Sequence, residues 1–332
     1  MNAACVFGCA GPILSAEEAA FFRDVRPWGF ILFGRNIRTP DQVRALVAAL
    51  RATIDRPDAP ILIDQEGGRV QRLGPPHWRR YPPGRAYAAL EPEIAYRGGR
   101  LIAGDLAALG INFDCAPVLD VPSPGAHDII GDRAYGDEPD RVASRGRAFA
   151  EGLLAGGVLP IIKHIPGHGR AAADSHLDLP VVDAGLSDLT ARDFAPFRAL
   201  SDLPMAMTAH VVYAAVDPDD PATTSARVIQ DVIRGVIGFN GVLISDDLSM
   251  KALRGDFSTR ASRSLAAGCD LVLHCNGDMA EMRAVSQGIV PLAGAALART
   301  EAALARLRPP GPFDLECETP RFDAAFEGRW AA

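Results

Sequence analysis

Along this chain the apolar positions come in short unbroken runs rather than in alternation. ACVFGCA (4–10), GFILFG (29–34), PILIDQ (60–65), INFDCAPVLD (111–120), LPIIKHI (159–165), PMAMTAHV (204–211), GVLISDDL (241–248) and DLVLHC (270–275) are rich in Val, Ile or Leu. A strand with one wet face alternates; a strand covered on both faces does not. The eight runs therefore predict parallel strands buried on both sides. Between them, TPDQVRALVAALRATI (39–54), RLIAGDLAALG (100–110), VASRGRAFAEGLLAGG (142–157), LTARDFAPFRALSD (189–202), RVIQDVIRGVIG (227–238) and SRSLAAG (262–268) carry helical spacing. Thr39 or Asp41 is placed to cap the first of these.

Strand and helix in alternation, eight times over, predict an α/β fold of the single (β/α)₈ (TIM) barrel type. A doubly wound open sheet is the alternative, and it usually opens with a Gly-rich phosphate loop after its first strand. GCAGP (8–12) lacks that spacing. No internal repeat or low-complexity linker divides the chain. The expected organisation is a catalytic barrel over 1–308, with a Pro-rich tail over 309–332 that packs on the barrel or frays from it.

Composition narrows the classes. The 332 residues are 48% hydrophobic and 23% charged, the balance of a soluble globular protein long enough for a large core. A net charge of -7 and no basic run with interleaved aromatics exclude a nucleic-acid partner. The N-terminal MNAACVFGCAGP has no basic region before its short apolar run, and nothing later is long enough to span a bilayer. The six cysteines show no CxxC pair and no zinc spacing; they read as reduced core residues of a cytoplasmic protein. No heptad or long apolar surface run appears, so a monomer is expected.

In a barrel, chemistry gathers where the strands end. Here those ends carry Asp64, Asp120, Lys163 with His164, His210, Asp246 with Asp247, and His274. One ionisable residue in an apolar strand is commonly a satisfied core group; six strand ends carrying them on one face point to a site. Metal hydrolysis would use clustered His and Asp, with an HxH pair early in the barrel. The first strand has no His, and Pro166 and Gly167 separate the histidines of KHIPGHG, so no metal and no cofactor are expected. A Schiff base on Lys163 is chemically open. Glycoside hydrolysis fits better: Asp246 suits a carboxylate nucleophile, and Arg69, Arg72, Arg133, Lys163 and His164 are donors for a hydroxyl-rich ring. A second carboxylic acid on a rigid element is missing.

KHIPGHGRAAADSHLDLP (163–180) resembles the KHFPGHG…DSH…LP signature of glycoside hydrolase family 3, in its single-domain β-N-acetylglucosaminidase branch. ILIDQEGGRVQRL (61–73), GDRAYG (131–136) and GVLISDDLSM (241–250) resemble the other landmarks of that branch, in the same order. Ile165 stands where Phe is commoner. The resemblance spans about residues 5–300.

It implies roles residue by residue. Asp246 matches the nucleophile, His176 the general acid/base and Asp174 its orienting partner. Asp64, Arg72, Arg133, Lys163 and His164 match positions that hold N-acetylglucosamine beside the cleaved bond. The implied enzyme is a β-N-acetylhexosaminidase that works with retention through a covalent glycosyl-Asp intermediate. Its implied substrates are sugars, either muropeptides of peptidoglycan recycling or chito-oligosaccharides. The missing second acid is then His176: an unperturbed imidazole titrates near pH 6.5 and can both give and take a proton, with Asp174 holding its tautomer. Gly167, Gly169 and the alanines suggest a loop that swings His176 in. His168 is expected to hold the loop base. Two alternatives remain open: a phosphorylase on the same site, and a non-catalytic sugar-binding barrel.

Overall fold

The structure, a computed structural model, describes residues 2–171, 179–327 and 329–330. All eight predicted strands form, and they close on themselves. We number them β1 (Ala3–Gly8), β2 (Pro27–Leu32), β3 (Ile61–Ile63), β4 (Phe113–Asp114), β5 (Leu159–Ile165), β6 (Met205–Thr208), β7 (Val242–Asp247) and β8 (Leu271–His274). Each pairs in parallel with its neighbours in chain order, and β1 pairs with β8. The fold is therefore the expected TIM barrel. Two short strand pairs lie outside it: Gln65–Gly67 against Val70–Gln71, and Val181–Val182 against Val212–Tyr213.

The barrel interior is filled with side chains. Val6, Ile31, Leu62, Phe113, Ile161, Met205, Ile244 and Leu271 form one buried cluster there. The opposite faces of the strands meet helices, as with Phe7, Phe30 and Ile63 against Phe22, Val43, Leu46 and Leu50. Both faces are thus dry, which is why the runs do not alternate.

The helices are α1 (Ala16–Val25), α2 (Pro40–Thr53), α3 (Pro92–Ala107), α4 (Pro139–Ala155), α5 (Ala195–Ala199), α6 (Val228–Val236), α7 (Phe257–Ala267), α8 (Met279–Gln287), α9 (Gly294–Leu304) and α10 (Leu315–Ala325). Thr39 caps α2, accepting from the Gln42 N–H at 3.3 Å, and Asp41 sits in the first turn. No expectation covered α1, although Ser15 and Glu18 form a reciprocal capping box at its start. Helix α3 begins eight residues before the periodicity suggested. Gly98 and Gly99 interrupt that pattern because of packing: a Cβ on Gly99 would lie 2.2 Å from the Phe149 carbonyl, and one on Gly152 would lie 2.2 Å from that of Tyr96. The two glycines let α3 and α4 cross backbone to backbone. Helix α6 is wound as a π-helix, and a π-helical turn over Leu189–Asp193 precedes α5.

The run 111–120 pairs as a ladder only over Phe113–Asp114; Pro117 has no N–H to continue it. The chain still runs on beside β5, where Leu119 donates to the Lys163 carbonyl at 2.7 Å. This carries Asp120 to the rim of the barrel. Among the described residues no helix is long and apolar enough to cross a membrane.

Candidate active site

A cavity of about 220 Å³ opens where the strands end. One side is charged and is built from the chain that follows β3, from β5, and from the loop after β4. The other side holds Asp246 and Asp247 of β7, with Phe33, Met207, Met250, Leu273 and Cys275. Six residues expected at the site, Asp64, Arg72, Arg133, Lys163, His164 and Asp246, all line this one cavity. Asp174 and His176 lie outside the described residues.

The charged side is an alternating row. Arg72 pairs with Asp64 at 3.0 Å. Asp64 accepts from Lys163 at 2.7 Å, and Lys163 reaches Glu66 at 2.7 Å. Glu66 takes Arg133 in a bidentate grip, at 2.8 and 2.9 Å. Three cations and two anions leave one net positive charge. Burial alone would raise the carboxyl pKa values. Lys163 and Arg72 outweigh it for Asp64, holding that group well below the usual carboxylate range. Arg133 and Lys163 bring Glu66 down to about 2. Burial would lower Lys163, but Asp64 and Glu66 raise it, so it remains an ammonium. An ammonium has three protons. Two point at these carboxylates, and the third has no partner among the described residues. The buried Arg72 Nε likewise has none among them.

Glu66 was absent from the sequence expectations, yet the signal was there. It lies two residues beyond Asp64, and the period of a strand puts both on one face. The fold also gives Asp120 a definite place. This carboxylate is fully buried, and its Oδ2 lies 2.7 Å from His164 Nδ1. Its Oδ1 accepts the backbone N–H groups of His164 and His168, at 3.2 and 2.7 Å. An ionised carboxylate only accepts, so His164 carries its proton on Nδ1. Asp120 thus holds His164, which lines the cavity, and the backbone at His168 through one carboxylate. Burial and the neighbouring His164 push His168 down to about 4, so it is neutral. Arg69 points to Asp132 and to the carbonyls of Asp128 and Ile129, fixing the rim of the cavity.

Asp246 is treated differently. Its Oδ1 accepts the Asp247 N–H at 2.8 Å, and Oδ2 has no hydrogen-bond donor among the described residues. Burial raises its pKa, but His164, His210, that N–H and Lys163 more than offset the rise, so it is ionised. The Asp247 carboxylate is occupied by Ser249 Oγ and N–H and by the Cys275 N–H, at 2.5, 3.0 and 3.1 Å. It ties the end of β7 to β8. His210 lies 3.0 Å from the Asp247 carbonyl through Nε2 and 2.7 Å from Thr223 Oγ1 through Nδ1. A carbonyl accepts, so Nε2 bears the proton. His274 is buried and bonds Glu281, away from the cavity. The six cysteines are unpaired. Among the described residues no three His, Cys, Asp or Glu side chains are grouped to hold a metal ion.

A closed parallel barrel with one ionised strand-end carboxylate opposite a row of hydrogen-bond donors is the architecture of a barrel hydrolase. Residues 14–308 match the model of the glycosyl hydrolase family 3 N-terminal domain. A beta-hexosaminidase of Methylococcus capsulatus is 43% identical over 279 residues, 82% of each chain. One of Pseudomonas aeruginosa is 41% identical over 281 residues, 83% of each. NagZ from Neisseria gonorrhoeae, solved in complex with N-trifluoroacetyl-D-glucosamine, is 33% identical with a TM-score of 0.85, covering all of this chain and 98% of that one. A family 3 beta-N-acetylglucosaminidase from Paenibacillus is 32% identical with a TM-score of 0.80; this chain spans 61% of it. The chain belongs to glycosyl hydrolase family 3, and it is a glycoside hydrolase.

Proposed function

We propose that this enzyme is a retaining exo-β-N-acetylglucosaminidase. Asp246 attacks C1 of a terminal N-acetylglucosamine while His176 protonates the departing oxygen, giving a covalent glycosyl-Asp246. Water, deprotonated by His176, then attacks the same carbon and frees the sugar with its configuration kept. Asp174 holds the imidazole tautomer, as a triad carboxylate does. Asp64, Arg72, Arg133, Lys163 and His164 bind the ring hydroxyls. The roles of Asp174 and His176 rest on the resemblance of their sequence motif.

One observation carries the reading: Asp246 is ionised, keeps one oxygen without a donor among the described residues, and faces a row whose Lys163 and Arg72 protons are not all taken by those residues. That arrangement suits nucleophilic attack on a ring held by its hydroxyls. The cavity, at about 220 Å³, lies below the usual ~300–1,000 Å³ of ligand pockets. This favours one terminal sugar over an internal segment of a chain, hence exo action. The resemblance carried by the KHIPGHGRAAADSHLDLP motif favours muropeptides or chito-oligosaccharides as substrates, and six cysteines without a disulfide or zinc spacing favour a cytoplasmic enzyme.

The test compares 4-nitrophenyl β-glycosides of N-acetylglucosamine and of glucose, with and without phosphate. Selective cleavage of the acetamido sugar that disappears in Asp246→Asn supports the assignment. Sugar phosphate among the products would make the enzyme a phosphorylase. No turnover of either glycoside by folded protein would leave a binding barrel as the better description.

A further inference from the structure

Helix α10 lies beyond residue 308, outside the stretch that matches the family domain. It is nonetheless seated firmly. Phe322 and Phe326 are buried, and Arg97 pairs with Glu318. Gly98 of α3 makes the room, since a Cβ there would lie 2.5 Å from Tyr87 Oη and 3.2 Å from the Phe322 ring. Two paths of contact lead from this seat to the charged side of the cavity.

The first path runs through rings. Phe326 meets Tyr87 edge-on at 5.3 Å, and Tyr87 meets Tyr135 at 5.7 Å. Tyr135 stands two residues from Arg133. The turn that bears Tyr87 also begins at Gly84, where a Cβ would lie 2.2 Å from the Arg133 carbonyl. Among the described residues the buried Tyr87 hydroxyl has no hydrogen-bond partner, so this ring is held for its shape. The second path starts at Arg79, which pairs with Asp323 and stacks over Phe322 at 5.2 Å. The Arg79 carbonyl accepts from Gln71 Nε2 at 2.7 Å, and Gln71 Oε1 accepts the Tyr81 N–H at 2.9 Å. Gln71 is next to Arg72. The Tyr81 carbonyl in turn accepts the Gly68 N–H at 2.9 Å, two residues from Glu66.

We propose that α10 is a positioning element for the sugar pocket: through Tyr87–Tyr135 and Arg79–Gln71 it sets where Arg133, Glu66 and Arg72 stand. The helix touches no reacting atom. Packed aromatic and ionic contacts of this kind transmit small shifts because a close-packed interior has little slack. Asp246 lies on the far side of the barrel, on a strand that α10 does not reach by either path. Loosening α10 therefore weakens sugar binding while leaving the chemical step largely intact.

The proposal rests on the reading of the charged row as the sugar-binding side, and its test keeps the two apart. Four variants of the full chain, Phe326→Leu, Asp323→Asn, Arg133→Ala and Leu200→Ala, are assayed well below their melting temperatures on the 4-nitrophenyl N-acetylglucosaminide. N-Acetylglucosamine binding is measured by calorimetry on the same samples. Leu200 is buried in the cluster around β6 and the helices that flank it, and its variant reports on stability alone. The expected result is a KM and a sugar dissociation constant raised roughly tenfold in Phe326→Leu and Asp323→Asn, with kcat within about twofold. Leu200→Ala lowers Tm and leaves both constants unchanged. If Phe326→Leu and Asp323→Asn lower only Tm while Arg133→Ala raises KM, α10 is a mere brace and the proposal falls alone. If Arg133→Ala leaves KM and sugar binding untouched, the reading of the row falls, and the proposal with it.

Discussion

Asp64 and Glu66 stand on one side of the cavity and Asp246 on the other, four strands away around the barrel. All three are ionised, but for different reasons. Asp64 and Glu66 are each held by two cations, and every contact is at 3.0 Å or less. Among the described residues Asp246 pairs with no cation. It is kept negative by one backbone N–H and by charges that stand off from it. A carboxylate in a bidentate or two-cation grip has its lone pairs engaged and is a poor nucleophile. One with a lone pair directed at the cavity is a good one. The comparison supports the proposed roles, a binding surface for Asp64 and Glu66 and a nucleophile for Asp246, without appeal to its motif.

The largest effect should come from the reacting member. Asp246→Asn should lower kcat by roughly four orders of magnitude or more, with no loss of Tm, because among the described residues the carboxylate accepts a single backbone N–H, which an amide oxygen can keep. A Tm drop of several degrees would show that Asp246 is structural and would erase the distinction. The next largest belongs to the binding row. Lys163→Met leaves Asp64 with Arg72 alone and Glu66 with Arg133 alone; losing a buried ion's whole partner costs about 3–5 kcal/mol, so a loss somewhat below that figure is expected. Urea unfolding should show that loss together with a fall in kcat/KM. A Lys163 variant as stable as wild type would mean that the carboxylates find other partners and that the row is not a unit.

The two sides also differ in how far the sequence reveals them. Asp246 was legible because an aspartate at the end of a run as apolar as GVLIS has few structural uses. The barrel was legible because each strand is dry on both faces. Glu66 was hidden because it lies beyond the end of β3, although the period of two carries one step further. Asp120 was visible as a polar strand end. Its pairing with His164 was not, because Pro117 ends the ladder early and the contact forms between chain segments 44 residues apart. Helix α3 was half missed: Gly98 and Gly99 stand where its apolar spacing lapses, and each admits a neighbour that a side chain would exclude. Spacing reports what a residue does within its own element; it is silent on what another element needs from it.

Acid should separate the pair of binding carboxylates from the rest of the pocket. Glu66 titrates at about 2 in the folded protein, against 4.5 for a free glutamate, so the unfolded chain binds the extra proton. Its contribution to stability is whole above pH 4.5 and is lost as pH falls towards 2, on the order of 3 kcal/mol in all. His168 acts in a higher window. Its folded value of about 4 lies below the free 6.5, so the unfolded chain is again the better base. Stability therefore also falls between pH 6.5 and 4, with a slope approaching ~1.4 kcal/mol per pH unit. Urea titrations at a series of pH values should show both limbs in wild type. Glu66→Gln should be less stable at neutral pH, keep the upper limb and show a shallower lower one, the remainder coming from Asp64. A lower limb as steep in Glu66→Gln as in wild type would assign the acid sensitivity to other carboxylates.

The smallest effect tests the junction between the two sides, where His164 faces the cavity and also contributes to the charge felt by Asp246. Asp120 accepts from His164 Nδ1 and from two backbone N–H groups. In Asp120→Asn the amide oxygen can keep the backbone pair, but the NH₂ group then faces Nδ1. Two donors cannot share that contact, so the imidazole must move its proton to Nε2 or turn away. A charge-assisted bond is worth about 1.5–3 kcal/mol. The expected result is therefore a kcat/KM lower by roughly tenfold to a hundredfold. If His164 serves the ring alone, the loss appears in KM. If its charge also supports Asp246, kcat falls too, and the pH dependence of kcat shifts on its acid side as Asp246 becomes easier to protonate. An Asp120→Asn enzyme with wild-type KM and kcat would show that the tautomer of His164 is immaterial, and that the two sides of the pocket work independently.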